Sequence, residues 1–259
     1  MSEILSVVNL TKTFRWTGKQ RKIFRAGNIT KKALDGLSFS VRKGEIFGLL
    51  GPNGAGKTTA MRIISTLLKS DSGDVIVAGV NVKKFPLKIR RDIGFLALDL
   101  KLEEFFTPSY LFDFFSALRE VPEKQSKARK ENLFMRFGIN EYANERFSVL
   151  SSGMKQKVSL VVSIVHDPQI IIFDEPTNGL DIVAAKAVSD FLLELKQQGK
   201  TIILSTHIFH LAEKICDRVG FIVGGRLLNP DTLCRTSAES NLEDTFFSFY
   251  RQTYKESNP

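Results

Sequence analysis

Cysteine is nearly absent from this 259-residue chain. Cys216 and Cys234 are the two, with neither metal-ligand nor redox spacing, so two free thiols in a reducing compartment are expected. Long apolar runs are missing too. No stretch approaches the roughly 18 residues that span a bilayer, and the first residues carry no signal-peptide pattern. The chain is expected to be soluble and cytosolic, with any membrane role coming through a partner. No internal repeat or low-complexity tract is visible. Acids are missing from residues 15–32, where Arg15, Lys19, Arg21, Lys22, Arg25, Lys31 and Lys32 gather with Trp16, Phe24 and two glycines. That segment reads as a loop or hairpin extension, either a solvated basic loop or a contact for anionic lipid or nucleic acid.

What is present suffices for a real core. At 43% hydrophobic residues the chain fits one large domain, or one domain with a subdomain. A net charge of +9 suits an acidic partner (nucleotide, anionic membrane surface or nucleic acid) without choosing among them.

Apolar patterning predicts an edge strand over 3–14 and a strand from Leu34 to Val41 with Leu37, Phe39 and Val41 alternating. Further strands are expected over 74–79 and 93–97. A helical face follows Thr107-Pro108 (Tyr110, Leu111, Phe114, Phe115, Leu118), and a second helical pattern runs from Ser126 to Phe137, stopped by Gly138. Beyond residue 150 the order is helix 154–165, strand 169–173, helix 183–198, strand 201–204, short helix 208–214 and a hairpin at Gly224-Gly225. Strands separated by helices imply a parallel sheet covered on both faces. The last 20 or so residues, with Phe246, Phe247, Phe249 and Tyr250, read as a small terminal appendage.

Chemistry concentrates in Gly51, Pro52, Asn53, Gly54, Ala55, Gly56, Lys57, Thr58 and Thr59, between the apolar run ending at Leu50 and a helical face with Met61, Ile64 and Leu68. A glycine-rich turn between strand and helix points successive backbone N–H groups at a phosphate, and the helix dipole adds positive potential. In such a turn Lys57 reaches the β- and γ-phosphates and the Thr58 hydroxyl holds Mg²⁺. The bland alternative is a tight turn with an incidental lysine. Farther on, four consecutive apolar residues end in Asp174 and Glu175. Carboxylates at the carboxyl end of a buried parallel strand lie where ligands of such sheets bind. Asp174 is expected to hold Mg²⁺ directly or through water, and Glu175 to polarise an attacking water as general base.

Three further segments follow in order: Leu150-Ser-Ser-Gly-Met-Lys-Gln156, Ile172-Phe-Asp-Glu-Pro-Thr-Asn-Gly-Leu-Asp181 and Ser205-Thr-His207. With the glycine-rich turn they make the chain similar, over nearly its whole length, to the nucleotide-binding domain of an ABC-type ATPase. The resemblance implies an α/β P-loop NTPase with a mostly parallel sheet core, an N-terminal antiparallel β subdomain and an inserted helical subdomain. It implies an ATPase domain over 1–235, with the helical insertion at about 100–160 and the basic loop at 15–32, and an appendage over 236–259. It also implies ATP and Mg²⁺, and a second nucleotide-binding subunit, identical or a sister, facing the first head to tail. The P-loop of one would face Ser151, Ser152 and Gly153 of the other. Ser151 offers a hydroxyl, and Gly153 admits backbone at a helix N-terminus.

By the same resemblance Asp181 crosses the dimer interface, His207 contacts the γ-phosphate and the water, and Phe14 stacks on adenine, with Trp16 and Phe24 as rivals. The partner is a polytopic membrane permease, reached at the inner face of the cell membrane, and no nucleic acid is expected. The signature, Leu-Ser-Ser-Gly-Met in place of Leu-Ser-Gly-Gly-Gln, resembles export-type members of the sodium-exporter and drug-exporter groups. The position where the family places a metal-contacting glutamine holds Leu98, with Asp99 as the possible substitute. Two rival functions stay open: a soluble ABC protein acting on ribosomes or nucleic acid, suggested by the charge, and a nucleotide-gated subunit with feeble hydrolysis, suggested by Leu98.

Overall fold

The computed structural model describes residues 2–15, 30–96, 104–228, 234–235 and 241–255. The expectations placed on Trp16, Phe24, Leu98 and Asp99 lie outside them. Two sheets organise the chain. The first is antiparallel, built from β1 (Glu3–Arg15), β2 (Thr30–Arg42), β4 (Ser72–Val77) and β5 (Val80–Asn81) in the order β2-β1-β4-β5. β1 is thus an interior strand and not the edge strand expected. Its apolar residues Leu5, Val7 and Leu10 mark which side is buried, but its second neighbour, β4, comes from some seventy residues along the chain. No local pattern reveals such a pairing. Arg15 pairs with Thr30, so the described ends of the basic segment are the two arms of a hairpin.

The second sheet carries β3 (Ile46–Leu50), β6 (Ile93–Leu96), β7 (Ile170–Asp174), β8 (Thr201–Thr206) and β9 (Arg218–Val223), all parallel. β10 (Arg226–Leu227) and β11 (Cys234–Arg235) lie antiparallel on β9. The order is β10-β9-β3-β8-β7-β6. Parallel strands buried on both faces read as unbroken apolar runs, and the side chains here divide between two cores. Phe47, Leu49, Ile170, Ile172 and Ile203 point to a core shared with the antiparallel sheet and with α1 (Lys57–Ile64). Ile46, Leu50, Ile171, Phe173, Ile202 and Leu204 point to the other core, shared with the later helices.

A seven-residue α2 (Pro86–Asp92) precedes those helices and adds Ile89 to the first core; sequence periodicity did not predict it because it buries Ile89 alone. Next come α3 (Pro108–Leu118), capped by the Thr107 hydroxyl accepting from the Tyr110 N–H at 3.1 Å, and α4 (Glu123–Phe137), stopped by left-handed Gly138. α5 (Ser152–Ser163) starts two residues before the expected helix, because the Ser151 side chain caps it. α6 (Ile182–Gln197) and α7 (Phe209–Ile215) match expectation within a residue or two. The terminal segment forms α8 (Leu242–Lys255), which packs into the main core. Phe246 is buried against Phe209 and Phe221, with ring centroids 5.3 and 5.5 Å away, and the Leu242 N–H donates to Glu213 Oε1.

Candidate functional site

β3 delivers the chain to Gly51 in a row that crosses three strands, since Leu49 pairs with Ser205 and Ser205 with Asp174. Gly51 has no room for a side chain, as a Cβ there would stand 2.1 Å from the carbonyl oxygen of Ile222. Gly56, the residue before α1, has φ +112°, and its Cβ would meet the Ala33 carbonyl oxygen at 2.5 Å. The loop thus presses its backbone against β9 on one side and the base of β2 on the other, and among the described residues the N–H groups of Asn53, Gly54 and Gly56 are left for a ligand. It borders a cleft of about 250 Å³. Pro52 to Gly54 and Gly56 to Thr59 line it, with Phe14, Lys31 and Ala33 from the antiparallel sheet and Glu175 from the end of β7. Phe14 is half-exposed there, with Lys12 Nζ 5.6 Å from its ring centroid. Lys57 is buried: its ammonium donates to the Gly51 carbonyl at 2.6 Å and the Pro52 carbonyl at 3.3 Å. Ala55, also buried, closes the turn with its N–H on the Pro52 carbonyl.

The two acids sit in unlike surroundings. Asp174 is fully buried; its Oδ1 accepts from the Ser205 hydroxyl at 2.5 Å, and its Oδ2 has no hydrogen-bond partner among the described residues. Burial pushes its pKa above the ordinary 3.8, opposed by the hydroxyls of Ser205 and Thr58 and by the Lys57 ammonium. A buried carboxylate with a bare oxygen beside a threonine hydroxyl has the chemistry of a hard-cation site. Mg²⁺ binds through one or two protein oxygens and completes its shell with phosphate and water. Among the described residues no cluster of three His, Cys, Asp or Glu competes for that role. Thr58 and Asp174 therefore fit Mg²⁺.

The same burial has a cost. Between pH 3.8 and the raised value the folded state holds the Asp174 proton more tightly than the unfolded chain, so stability falls as pH rises through that window. Asp174→Asn keeps an acceptor for Ser205 and removes the charge. Without nucleotide or metal at neutral pH it is expected to raise the melting temperature by about 2–4 °C, as for roughly 1 kcal/mol. It should also abolish the stabilisation that ATP with Mg²⁺ gives the wild type. A melt unchanged or lowered in the empty variant would contradict the reading of Asp174 as a charge awaiting a counter-ion.

Glu175 adopts φ +52°, left-handed backbone that costs a non-glycine residue about 1–3 kcal/mol and gathers at functional sites. Its N–H is fixed by the carbonyl and hydroxyl oxygens of Ser205, both at 3.2 Å. Glu175 Oε2 lies 3.0 Å from His207 Nδ1, while Oε1 lies 3.2 Å from Lys57 Nζ, an ion pair without hydrogen-bond geometry. The loop, Asp174, Glu175 and His207 thus come together. Ser205, which touches both acids, was noted in the sequence only as the start of the Ser-Thr-His run, without a role of its own. Lys31 and Ala33 were also missed as cleft residues.

Ser151, Ser152, Gly153 and Asp181 form a separate constellation and do not line that cleft. The Ser151 hydroxyl caps α5 by accepting from the Met154 N–H at 3.2 Å. A Cβ on Gly153 would stand 3.4 Å from the Gly179 carbonyl oxygen, so the α5 N-terminus and the 179–181 turn adjoin. Asp181 Oδ1 accepts from the Ala184 N–H at 2.8 Å, and the Ala184 and Val183 N–H groups hold its carboxyl below the usual carboxylate range.

Comparison with known proteins agrees with this geometry. Residues 34–178 match the family profile described as ABC transporter. The chain is 37% identical over 219 residues to the ABC transporter ATP-binding protein NatA of Bacillus subtilis, covering 84% of this chain and 89% of that protein. It is 34% identical over 210 residues to the daunorubicin resistance ATP-binding protein DrrA3 of Streptomyces coeruleorubidus, covering 81% of this chain and 66% of that relative. A solved dimeric ATP-binding cassette in a post-hydrolysis state, bound to ADP and Pi, superposes with a TM-score of 0.76 at 24% identity, over 90% of this chain and 99% of that one. At that identity the likeness speaks for the fold.

Proposed function

This chain belongs to the ABC transporter family as an ATP-binding, ATP-hydrolysing cassette, and from that premise we propose that two cassettes close head to tail around ATP and drive a separate polytopic membrane subunit. The observation that carries this reading is the division of the site. The phosphate loop and Glu175 line one cleft, with Asp174 buried behind it, while Ser151 to Gly153 stand at a helix N-terminus outside it. Beyond the Met154 N–H capped by Ser151, the first N–H groups of this helix meet no acceptor among the described residues, and a small-residue helix start of this kind suits the γ-phosphate of ATP held by another cassette.

In this reading ATP enters with adenine on Phe14, and its phosphates replace the internal partners of Lys57, drawing the ammonium off the Gly51 carbonyl and away from Glu175. Pro52, Asn53, Gly54, Ala55, Gly56 and Thr59 supply the backbone cradle. Thr58 and Asp174 hold Mg²⁺, which neutralises phosphate charge when bound. Glu175 takes the proton of the attacking water, the water oxygen bonds to the γ-phosphorus, and ADP leaves with the electrons of the broken bond. His207, through Nδ1, holds the glutamate in position. Asp181 braces the turn beside the partner's signature.

The helical insertion at about 100–160 supplies the surface for the permease, with Tyr110, Phe114 and Leu118 exposed at four-residue spacing along α3. In this reading the chain works at the inner face of the membrane, as an ATPase domain over 1–235 with a terminal segment over 236–259. The direction proposed is export, supported by the signature variant and by a relative named for drug resistance. The test is a cross-link. Asn53→Cys with Ser152→Cys, in a Glu175→Gln background, should give a covalent two-chain product that depends on ATP. Product formed equally without nucleotide, or none at all, would overturn the head-to-tail arrangement.

A further inference from the structure

The segment from Lys83 to Asp92 is strongly biased: Lys83, Lys84, Lys88, Arg90 and Arg91 stand against the single acid Asp92. It carries two exposed large apolar side chains, Phe85 at 59% and Leu87 at 72%, and Leu67 on the preceding loop is 57% exposed. The backbone beneath is firmly held. Ile89 is buried, Arg90 clamps Thr66 through its hydroxyl at 2.7 Å and its carbonyl at 3.0 Å, and the Arg119 guanidinium bonds the Arg90 carbonyl. Facing acids are few: Glu120 Oε2 lies 3.7 Å from Arg91, and Lys83 donates to the Gly73 carbonyl. Lys84 and Lys88 are exposed.

We infer that this rigid basic and apolar face, built on α2 and the 66–69 loop, rests directly on an anionic phospholipid bilayer. Phe85 and Leu87 would enter the interface and Lys84, Lys88 and Arg91 would meet headgroup phosphates. The nearby cleft of about 300 Å³ is lined by residues such as Thr66, Val82, Pro86 and Arg90, and by none of Leu67, Phe85 and Leu87. The three apolar side chains therefore stand outside the depression, where a soft interface covers them readily and a protein knob does not. Lysine stems can lie along acyl chains while their ammonium groups reach phosphate. Each cation near such a surface is worth about fivefold in binding. This inference goes beyond the permease reading, because it requires no protein partner.

The experiment uses the purified full chain without permease and sediments it with phosphatidylcholine vesicles containing or lacking phosphatidylglycerol. Binding should require phosphatidylglycerol and weaken with salt. Lys84→Gln with Lys88→Gln should lower it about tenfold or more. Lys124→Gln with Lys127→Gln, an equal change of charge on α4, should barely move it. Phe85→Ser with Leu87→Ser should lower it at unchanged charge, with melting curves confirming that each variant folds. No binding to the anionic vesicles would overturn the inference and leave the face to a protein partner. Equal losses from the two lysine pairs would also overturn it, showing mere attraction of a chain of charge +9. So would indifference to the loss of Phe85 and Leu87.

Discussion

Glu175→Gln is expected to slow steady-state ATP hydrolysis by about 100- to 10,000-fold, the usual loss when a general base is removed, while ATP still binds. The reasons are local. Gln fills the same volume, can still meet His207 Nδ1 at 3.0 Å, and keeps the N–H held by Ser205. It also releases Lys57, whose ammonium stands 3.2 Å from Oε1, so the amide should bind nucleotide at least as well as the wild type. Phosphate release and equilibrium binding of labelled ATP, measured on one preparation, separate the two effects. Size-exclusion chromatography with ATP should show the variant as a persistent pair of chains. Wild-type turnover in the variant would remove Glu175 from the role of base, and lost binding would make the residue part of the cradle.

The second large effect concerns the loop backbone. Gly51→Ala sets a Cβ 2.1 Å from the Ile222 carbonyl oxygen, and neither β3 nor β9 can yield without breaking ladder hydrogen bonds. The expected loss is at least about 3 kcal/mol, the upper end of overpacking costs, with nucleotide binding gone because the turn is pushed off its seat. Gly54→Ala is the contrast. Nothing lies within 4 Å of a Cβ there, and only its φ of +82° opposes alanine, so about 1–2 kcal/mol is expected. Urea unfolding with a nucleotide titration distinguishes them. Equal losses from both would mean that the approach of β9 does not set the requirement at Gly51.

Much of this site was legible in the sequence because its signals are local. A glycine-rich turn between an apolar strand and a helix, and two acids after four apolar residues, each need only their neighbours to be recognised. Capping residues did the same for two helices: Thr107 and Gly138 mark ends that the structure places where the sequence put them. What escaped depends on partners far along the chain. The interior place of β1 is made by β4, the Lys57–Glu175 contact joins residues more than a hundred positions apart, and Lys31 and Ala33 reach the cleft only because β2 folds back beside the loop. α2 is too short for a periodic signal, and the aromatic run of α8 gave no hint that Phe246 would meet Phe209 and Phe221.

Leu49, Ser205 and Asp174 lie abreast across β3, β8 and β7. Every reactive group is counted from that line: Gly51 two residues past it, Glu175 one, His207 two. The sheet thus works as a common datum, setting the phosphate loop, the proposed metal ligand, the proposed base and its histidine at fixed offsets without any loop having to measure them. A slip of one residue between any two of these strands would not loosen the machinery by degrees. It would turn the acids onto the wrong face at once, so the catalytic spacing is protected by the same cooperativity that keeps the core folded.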